Sequence, residues 1–345
     1  MSYQDVSTKH SLRAGCSEST SQPPILRNHL VPIPVFKYGF TTCPQLFSAQ
    51  SLYDFNKPQT SLSARYQPDL TQIPLSDEAL LVHCIHPNLP RHPIVKPPPT
   101  SHDTPKPEYA YQAKYLKGSI NPHATIPGGF GFYLSGDSEF KRRCEGDAKE
   151  VVMSYRMMLE NGWMWAKGGK LPGVFGGDGE KAYRCTGGNQ ESRCTCFNVR
   201  LMWREDGEGE LYTYLPPVPS NDKALSAVPP RSIKNTDYGY SVGRGAFSLK
   251  DAVNRWMSVA IRIRLNQPGK QDGQMELWID GRSVISVDEL VIRGNGKQDE
   301  DQVDGDRARL QGMHFQTFFG GHKEEWASPR TQHAWFADVT GVVVE

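Results

Sequence analysis

The sequence predicts an all-β fold, an antiparallel β-sandwich of jelly-roll type, preceded by a Pro-rich N-terminal region. Short segments of alternating apolar and polar residues, separated by turn residues, recur from about residue 108 to the C-terminus, as in paired strands. No segment has the pattern of a long amphipathic helix. Composition divides the chain at a similar place, since 18 of the 26 Pro lie in residues 1–127, whereas 29 of the 32 Gly and all seven Trp lie in residues 128–345.

Residues 1–107 form what we call the Pro-rich front. Residues 1–100 are rich in Pro, Ser, Thr and Gln, and residues 87–107 have the composition of an extended polyproline linker. We expect the front to be mostly disordered and residues 1–100 to be dispensable for folding. Residues 77–86 have the pattern of a short helix or strand, and the sequence predicts no function for them. Residues 108–345 are long enough for one domain with a well-buried core.

Nine segments of this domain alternate as strands do. One of them contains Asp280-Gly281 between two alternating runs, which predicts a tight hairpin turn. Residues 251–256 predict no more than a single helical turn. In chain order, the predicted strands span residues 130–136, 150–159, 162–176, 197–204, 210–216, 255–266, 273–287, 313–321 and 333–345.

Global properties argue against several classes of protein. The 39 basic and 38 acidic residues leave a net charge of +1, so an anion site must be a local cleft, and nucleic acid is not an expected partner. No stretch approaches the roughly 18 apolar residues of a membrane span. No Gly-rich phosphate loop joins a strand to a helix, which weakens a nucleotide-binding interpretation. The N-terminus has no apolar segment of the kind that marks a secretory signal.

Three of the seven cysteines, Cys185, Cys194 and Cys196, lie within twelve residues of one another. The chain has no CxxC motif, and these cysteines have no neighbouring His, which argues against zinc. A disulfide from Cys185 to either Cys194 or Cys196 would fit an oxidising compartment. The alternative is a set of buried free thiols, which the missing signal peptide favours.

The acidic segment at residues 298–306 suggests calcium through Asp299, Asp301 and Asp304. Its spacing departs from that of an EF-hand loop, and the terminal Glu ligand is missing. A solvated acidic loop is the favoured interpretation, and no metal site is predicted.

Alternation along two neighbouring segments places four polar side chains on one surface. In residues 197–204, Asn198 and Arg200 share a face opposite that of the apolar residues, and in residues 210–216 Tyr212 and Tyr214 do the same. The Gly-rich turn between the two segments predicts a hairpin, so these four residues project together. Arg binds carboxylates bidentately, and Tyr exchanges protons and stacks on sugar rings. Ordinary cross-strand packing is the alternative.

Further candidates lie on other predicted strands. Arg156 lies on one strand face, and His314 and Gln316 share a face of another strand. Lys170 stands between Gly pairs and a Pro, in a segment whose glycines permit close approach of a ligand. The alternative for Lys170 is an ordinary solvated lysine.

The segments GGKLPGVFGG, FNVRLMWR, ELYTYLP and HFQTFFGG, in this order and spacing, resemble those of the family-14 polysaccharide lyases, which include alginate and glucuronate-polymer lyases. The resemblance covers roughly residues 108–345. It implies a jelly roll of two antiparallel sheets with a concave cleft. It also implies active residues at Lys170, Arg200, Asn198, Tyr212 and Tyr214. Asn198 stands where the resemblance implies a Ser, a difference that bears on which uronate is preferred.

The implied reaction is β-elimination of an acidic polysaccharide, a polyuronate, by a monomer that needs no metal or organic cofactor. Arg200 and Asn198 would neutralise the carboxylate beside the C5 proton, with Arg156, His314 and Gln316 as further substrate-binding candidates. Lys170 or Tyr214 would be the base and Tyr212 the acid, with a cationic cleft lowering a Tyr pKa. Such an enzyme is expected outside the cell, although no signal peptide is visible.

Two other functions remain open from the residues. A jelly-roll glycoside hydrolase needs two carboxylates across the cleft, and the candidates Glu205, Asp206, Glu208 and Glu210 lie in or beside a Gly-rich turn where solvation is expected. A non-catalytic carbohydrate-binding module would keep the aromatic residues but would have no use for the Lys-Arg-Tyr-Tyr arrangement.

Overall fold

The computed structural model describes residues 25–46, 69–100, 105–189, 191–294 and 307–345. These residues include 17 strands and three short α-helices. The strands are β1 Tyr38–Thr41, β2 Asp69–Gln72, β3 Val82–His83, β4 Ile94–Val95, β5 Ala110–Tyr115, β6 Phe130–Leu134, β7 Glu150–Leu159, β8 Gly168–Gly177, β9 Cys196–Arg204, β10 Glu208–Tyr214, β11 Ile233–Lys234, β12 Tyr240–Ser248, β13 Met257–Arg264, β14 Gly273–Ile279, β15 Arg282–Leu290, β16 Arg309–Phe319 and β17 Gln332–Val343. The helices are α1 Ile25–Leu30, α2 Ser138–Glu145 and α3 Pro219–Ser226.

The strands assemble into two sheets, as the jelly-roll prediction requires. The nine-stranded sheet has the order β15-β14-β13-β7-β17-β1-β2, with β5 also paired to β17 and β4 paired to β5. The eight-stranded sheet has the order β11-β12-β10-β9-β8-β16-β6-β3. All pairs are antiparallel except β1 with β2. The predicted all-β sandwich is therefore confirmed.

The core lies between the two sheets and is built from the inward residues of both. Phe130 and Phe315 of the eight-stranded sheet stack with their rings nearly parallel and 6.0 Å apart, and Phe336 of the nine-stranded sheet meets both edge-on. All three are fully buried. Because strand alternation sends the intervening side chains to the opposite face, the eight-stranded sheet is left with a polar outer surface.

Most predicted strands appear with small shifts of their ends. The segment 150–159 coincides with β7, whereas the predicted strand 162–176 begins only at Gly168. Asp280 and Gly281 both have positive φ, 48° and 75°, which confirms the tight hairpin between β14 and β15. Strands β5, β11 and β12 and the short helices were not predicted. None of the helices in the described part of the chain is long and apolar enough to cross a membrane.

The expectation that residues 1–100 contribute little structure is wrong for the described segments 25–46 and 69–100. Strand β1 lies between β17 and β2 in the nine-stranded sheet, and Leu30, Phe36 and Phe40 are fully buried. The prediction averaged composition over a hundred residues and so missed the short Pro-free stretch FKYGF, whose aromatic residues bury enough apolar surface to order it. The calcium candidates Asp299, Asp301 and Asp304 lie outside the described residues.

Candidate active site

Four adjacent strands, β10, β9, β8 and β16, carry the predicted site residues on the outer face of the eight-stranded sheet. Tyr212 lies opposite Arg200 and Tyr214 opposite Asn198 in the β10–β9 pair, as the alternation predicts. The intervening residues of β9 belong to the core. The residues that come together at a cleft of about 880 Å³ are Lys170, Asn198, Arg200, Tyr212, Tyr214, His314 and Gln316.

A bulge in β8 directs Lys170 into this cleft. The pairing of β8 with β9 shifts register between Lys170 and Gly173, where Pro172 has no N–H to donate to a neighbouring strand. A Cβ at Gly173 would lie only 2.0 Å from the carbonyl oxygen of Val199, so only glycine permits this approach of the two strands. The GGKLPG sequence therefore fixes the position of the lysine.

The Lys170 ammonium lies against the two tyrosine rings. Its Nζ is 3.4 Å from the ring centroid of Tyr212 and 5.5 Å from that of Tyr214, and 2.9 Å from Met202 Sδ. Burial, followed by the positive charge of Arg200, holds the pKa of Lys170 well below its usual range. A lysine in this environment gives up its proton more readily than a solvated lysine does, and its side chain is half-buried against the two rings.

The two tyrosines pack edge-to-face, with ring centroids 5.4 Å apart. The Tyr212 hydroxyl accepts a hydrogen bond from Gly239 N–H at 3.2 Å, and the Arg193 guanidinium lies 4.7 Å from the ring centroid of Tyr214. Burial raises the pKa of both phenols, and the nearby Arg charges offset only part of this shift. The expectation that a cationic cleft lowers a Tyr pKa is therefore wrong for both tyrosines, because desolvation outweighs charge.

Arg200 is anchored by the protein and keeps donors for a ligand. Its Nε donates to Leu171 O at 3.1 Å, while Nη1 and Nη2 donate to the side-chain and main-chain oxygens of Gln316 at 3.0 and 2.6 Å. Burial lowers the pKa of Arg200 to about 10, so it remains charged at neutral pH. Three of its five N–H groups are used in these bonds, which leaves two to bind an acidic group.

Asn198 and His314 form a neutral polar pair beside Arg200. Asn198 Nδ2 and His314 Nδ1 are 3.0 Å apart, and the His314 ring stacks on Tyr133 at 4.2 Å. Burial, followed by the charges of Arg200 and Lys170, holds the pKa of His314 well below its usual range. Asn198 is fully buried beside His314, and its Oδ1 has no hydrogen-bond partner among the described residues.

Arg156, predicted to bind substrate, is not part of this cleft. It lies on β7 in the nine-stranded sheet, where it forms a buried ion pair with Asp338 and donates to Pro105 O. Its guanidinium also lies 5.8 Å from the ring centroid of Trp256. Alternation placed Arg156 on the correct strand face, but it does not reveal to which sheet a strand belongs. Arg156 is a structural residue.

An ion-pair network of two arginines, which was not predicted, lies at the edge of the cleft. Arg204 and Arg244 both pair with Glu210, at 2.6 and 2.7 Å, and Ser241 donates a hydrogen bond to the same carboxylate. Arg204 lies 5.8 Å from the ring centroid of Tyr212. Arg204 and Glu210 share the strand faces of Arg200 and Tyr212, so the same alternation could have identified them.

The carboxylates that a hydrolase would need do not fit that role. Glu210 is fully buried rather than solvated; burial raises its pKa, but its arginine partners outweigh this and the net shift is downward. It is therefore ionised at neutral pH and cannot serve as a proton donor. Glu205, Asp206 and Glu208 are exposed and pair with surface Lys or Arg, as expected for a solvated turn.

A disulfide supports the cleft from one side. Cys185 and Cys196 are bonded, which confirms one of the two predicted pairings, and Cys194 remains a free thiol. The bridge packs in one cluster with Tyr212 and Tyr214. It holds the loop that carries Arg193 over the Tyr214 ring.

Positive charge dominates the cleft. Among the described residues that line it, six are Lys or Arg and one, Glu325, is acidic. No group of three or more His, Cys, Asp or Glu side chains within the described ranges is placed to hold a metal ion. A jelly-roll sandwich with a cationic, aromatic cleft across one sheet defines the class of carbohydrate-active jelly-roll proteins.

Comparison with known proteins identifies the family. The family model Polysaccharide lyase 14 matches residues 103–339. A marine PL-14 alginate lyase from Aplysia kurodai is 30% identical over 69% of this chain and 84% of that chain, with a TM-score of 0.56. An alginate lyase from a Chlorella virus shares the fold at 19% identity, over 77% of this chain and 93% of that chain, with a TM-score of 0.55. No curated protein sequence matches significantly. The chain belongs to the polysaccharide lyase 14 family and is a polysaccharide lyase.

Proposed function

We propose that this lyase cleaves polyuronates of the alginate or glucuronan class by β-elimination, leaving an unsaturated uronate at the new non-reducing end. The membership of the polysaccharide lyase 14 family and the similarity to the Aplysia alginate lyase support this substrate class. The excess of cationic side chains in the cleft supports it independently, since a uronate polymer carries one carboxylate per sugar.

The first requirement is neutralisation of the carboxylate beside C5, because this makes the C5 proton acidic enough to remove. Arg200 is charged and has two free N–H groups directed by its bonds to Leu171 and Gln316. Asn198 adds the second N–H of its amide, since the first is donated to His314 Nδ1. These groups bind the carboxylate and stabilise the charge that develops on it in the transition state.

We assign Lys170 as the base and Tyr212 as the acid. Lys170 Nζ removes the C5 proton, the electrons of that C–H bond form the C4–C5 double bond, and the C4–O bond breaks. The Tyr212 hydroxyl gives its proton to the departing glycosidic oxygen. The lowered pKa of Lys170 and the raised pKa of Tyr212 favour the protonation states that this division needs. Tyr214 packs against Tyr212 and is assigned to positioning it.

The observation that carries the proposal is the contact between Lys170 Nζ and the Tyr212 ring, 3.4 Å from its centroid, with Arg200 in the same cleft. A binding module has no use for a half-buried lysine whose pKa is lowered. The elimination requires a base of this kind next to an acid and a carboxylate-binding arginine.

Incubation with a panel of polymannuronate, polyguluronate and glucuronan tests the proposal. We expect ultraviolet absorbance from unsaturated uronate to grow on at least one polymer, with the same rate in the presence of a chelator. Chain shortening without absorbance would instead indicate hydrolysis, and binding without chain shortening would indicate a binding module. Either result would contradict the proposed function.

We also propose that the enzyme acts as a monomer outside the cell, where its polymeric substrate occurs. The Cys185–Cys196 disulfide supports an oxidising compartment. Mass spectrometry of the protein from its native source should find these two cysteines oxidised. Both thiols free would contradict the location.

A further inference from the structure

One wall of the cleft comes from a part of the chain that lies outside the family match. The match begins at residue 103, yet Cys84 and His86 line the cleft. They follow β3, which pairs with β6 at the end of the eight-stranded sheet. We call residues 82–89 the front wall.

The front wall is a fixed part of the fold. His86 N–H donates to Gly131 O at 2.8 Å, so the main chain continues to follow β6. Leu89 is buried, and its Cδ1 lies 3.0 Å from the position of a Cβ at Gly131. Leu80, just before the wall, is fully buried in the core. A side chain on this segment is therefore held in a defined place beside the cleft.

His86 faces His123 across the end of the cleft, with ring centroids 6.0 Å apart. The Asn88 N–H donates to His86 Nδ1 at 3.3 Å. Because Nδ1 accepts this bond, the proton of the neutral ring lies on Nε2, which becomes a donor. His123 is exposed, and its own N–H donates to Asn121 Oδ1 at 2.9 Å.

The loop that carries His123 is held to the opposite side of the cleft. Asn121 Nδ2 donates to Gly321 O at 2.7 Å, and both residues line the cleft. The two histidines therefore stand on separate, anchored segments that converge on the same end of the cavity. Burial, followed by the nearby His123, lowers the pKa of His86, so its ring is a neutral donor at neutral pH.

This end of the cleft lies near His314, whose pKa is lowered in part by His86, but it is three strands away from Lys170. Strand β3 is separated from β8, which carries Lys170, by β16 and β6. Three strand spacings correspond to roughly 14 Å. A sugar bound at the histidines is therefore a different sugar from the one whose C5 proton Lys170 removes.

We propose that His86 and His123 form an accessory site that binds the carboxylate of a sugar unit remote from the scissile bond. The site gives the enzyme a preference for longer chains, and the front wall, outside the family match, supplies half of it. This inference rests on the proposed polyuronate substrate. A carboxylate is the expected occupant because the polymer is anionic and both rings offer N–H donors at a cationic cleft.

The test compares steady-state kinetics of His86→Ala and His123→Ala on a long polyuronate and on the shortest oligosaccharide that the wild-type enzyme cleaves. Loss of one hydrogen bond to a charged group raises KM for the polymer by about tenfold. We expect kcat to be retained, and both constants to be unchanged on the shortest substrate. His29→Ala, a half-buried histidine in α1 away from the cleft lining, is the matched control.

An unchanged KM for the polymer in both variants would overturn the inference, and so would an equal rise of KM on the shortest substrate or in the His29→Ala control. His123 is exposed, so its variant tests the site even if His86→Ala does not fold. Failure of the proposed function is distinguishable, since the wild-type enzyme would then give no unsaturated product from any polyuronate.

Discussion

Replacement of Lys170 by Ala tests the assignment of the base. Loss of a positioned general base costs about 10²- to 10⁴-fold in rate. A lysine with the ordinary pKa of about 10.4 is unprotonated in roughly one molecule in 2,500 at pH 7, and each unit by which the pKa falls raises that fraction tenfold. Burial and the charge of Arg200 supply this lowering in the cleft. The variant loses the group that the fold has prepared for proton removal.

The pH dependence of kcat/KM has a definite sign. Lys170 must lose its proton to act, so activity rises as the pH increases through its lowered pKa, and the rising limb lies below pH ~10. Tyr212 must keep its proton, which its raised pKa ensures at neutral pH, and Arg200 must keep its charge, so the falling limb begins near the Arg200 pKa of about 10. In free solution the pKa values of Lys and Tyr nearly coincide. Because the pKa of Lys170 is lowered and that of Tyr212 is raised, kcat/KM has a pH range in which both residues are in their active protonation states.

The assay is the rate of unsaturated-product formation between acidic and strongly alkaline pH, with thermal unfolding measured at each pH. Lys170→Arg is the matched control, because it keeps the positive charge but does not lose a proton in this range. We expect it to be as inactive as Lys170→Ala. The reasoning is refuted if Lys170→Arg stays near wild-type activity, or if Lys170→Ala keeps the same rising limb.

Tyr212→Phe is expected to cut kcat by about 10²-fold or more at an unchanged melting temperature, since only a hydroxyl is lost; normal turnover would remove Tyr212 as the acid. Arg156→Ala is expected to lower the free energy of unfolding by about 3–5 kcal/mol, because its buried carboxylate partner is left unpaired, while kcat/KM of the folded enzyme is retained. A variant that loses kcat/KM but keeps its stability in denaturant titrations would show that Arg156 belongs to the active site. Cys185→Ser is expected to cost about 3 kcal/mol in the same titration, from the loop that ends at Cys196; equal stability of oxidised and reduced wild-type protein would contradict this. Deletion of residues 1–46 removes α1 and β1 and is expected to abolish cooperative thermal unfolding; a stable, cooperatively folding product would restore the view that the front is dispensable.

Strand alternation predicted much of the site because a period of two separates the faces of a sheet whatever its partners are. It placed Asn198, Arg200, Tyr212 and Tyr214 on one surface, and the structure pairs them directly. The same rule failed for Arg156, because alternation says nothing about which sheet a strand joins.

The protonation behaviour of the site could not be predicted from residue types. A cationic cleft was expected to lower the pKa of a tyrosine, but the sign depends on how deeply the phenol is buried relative to its distance from Arg200 and Arg193. Both quantities are set by tertiary packing. The contribution of the front escaped prediction for a related reason, since Phe36 and Phe40 form only a short apolar patch in a Pro-rich composition.

The central claim, that the Lys170–Tyr212 pair cleaves a polyuronate by elimination, is tested most directly by the mass of the products. Elimination leaves each new non-reducing end one water molecule lighter than hydrolysis does, with a C4–C5 double bond for every bond cleaved. We predict such products from the wild-type enzyme on a polyuronate, and none at a comparable rate from Lys170→Ala or Tyr212→Phe. Products that carry the full mass of hydrolysis, or wild-type rates in both variants, would contradict the account.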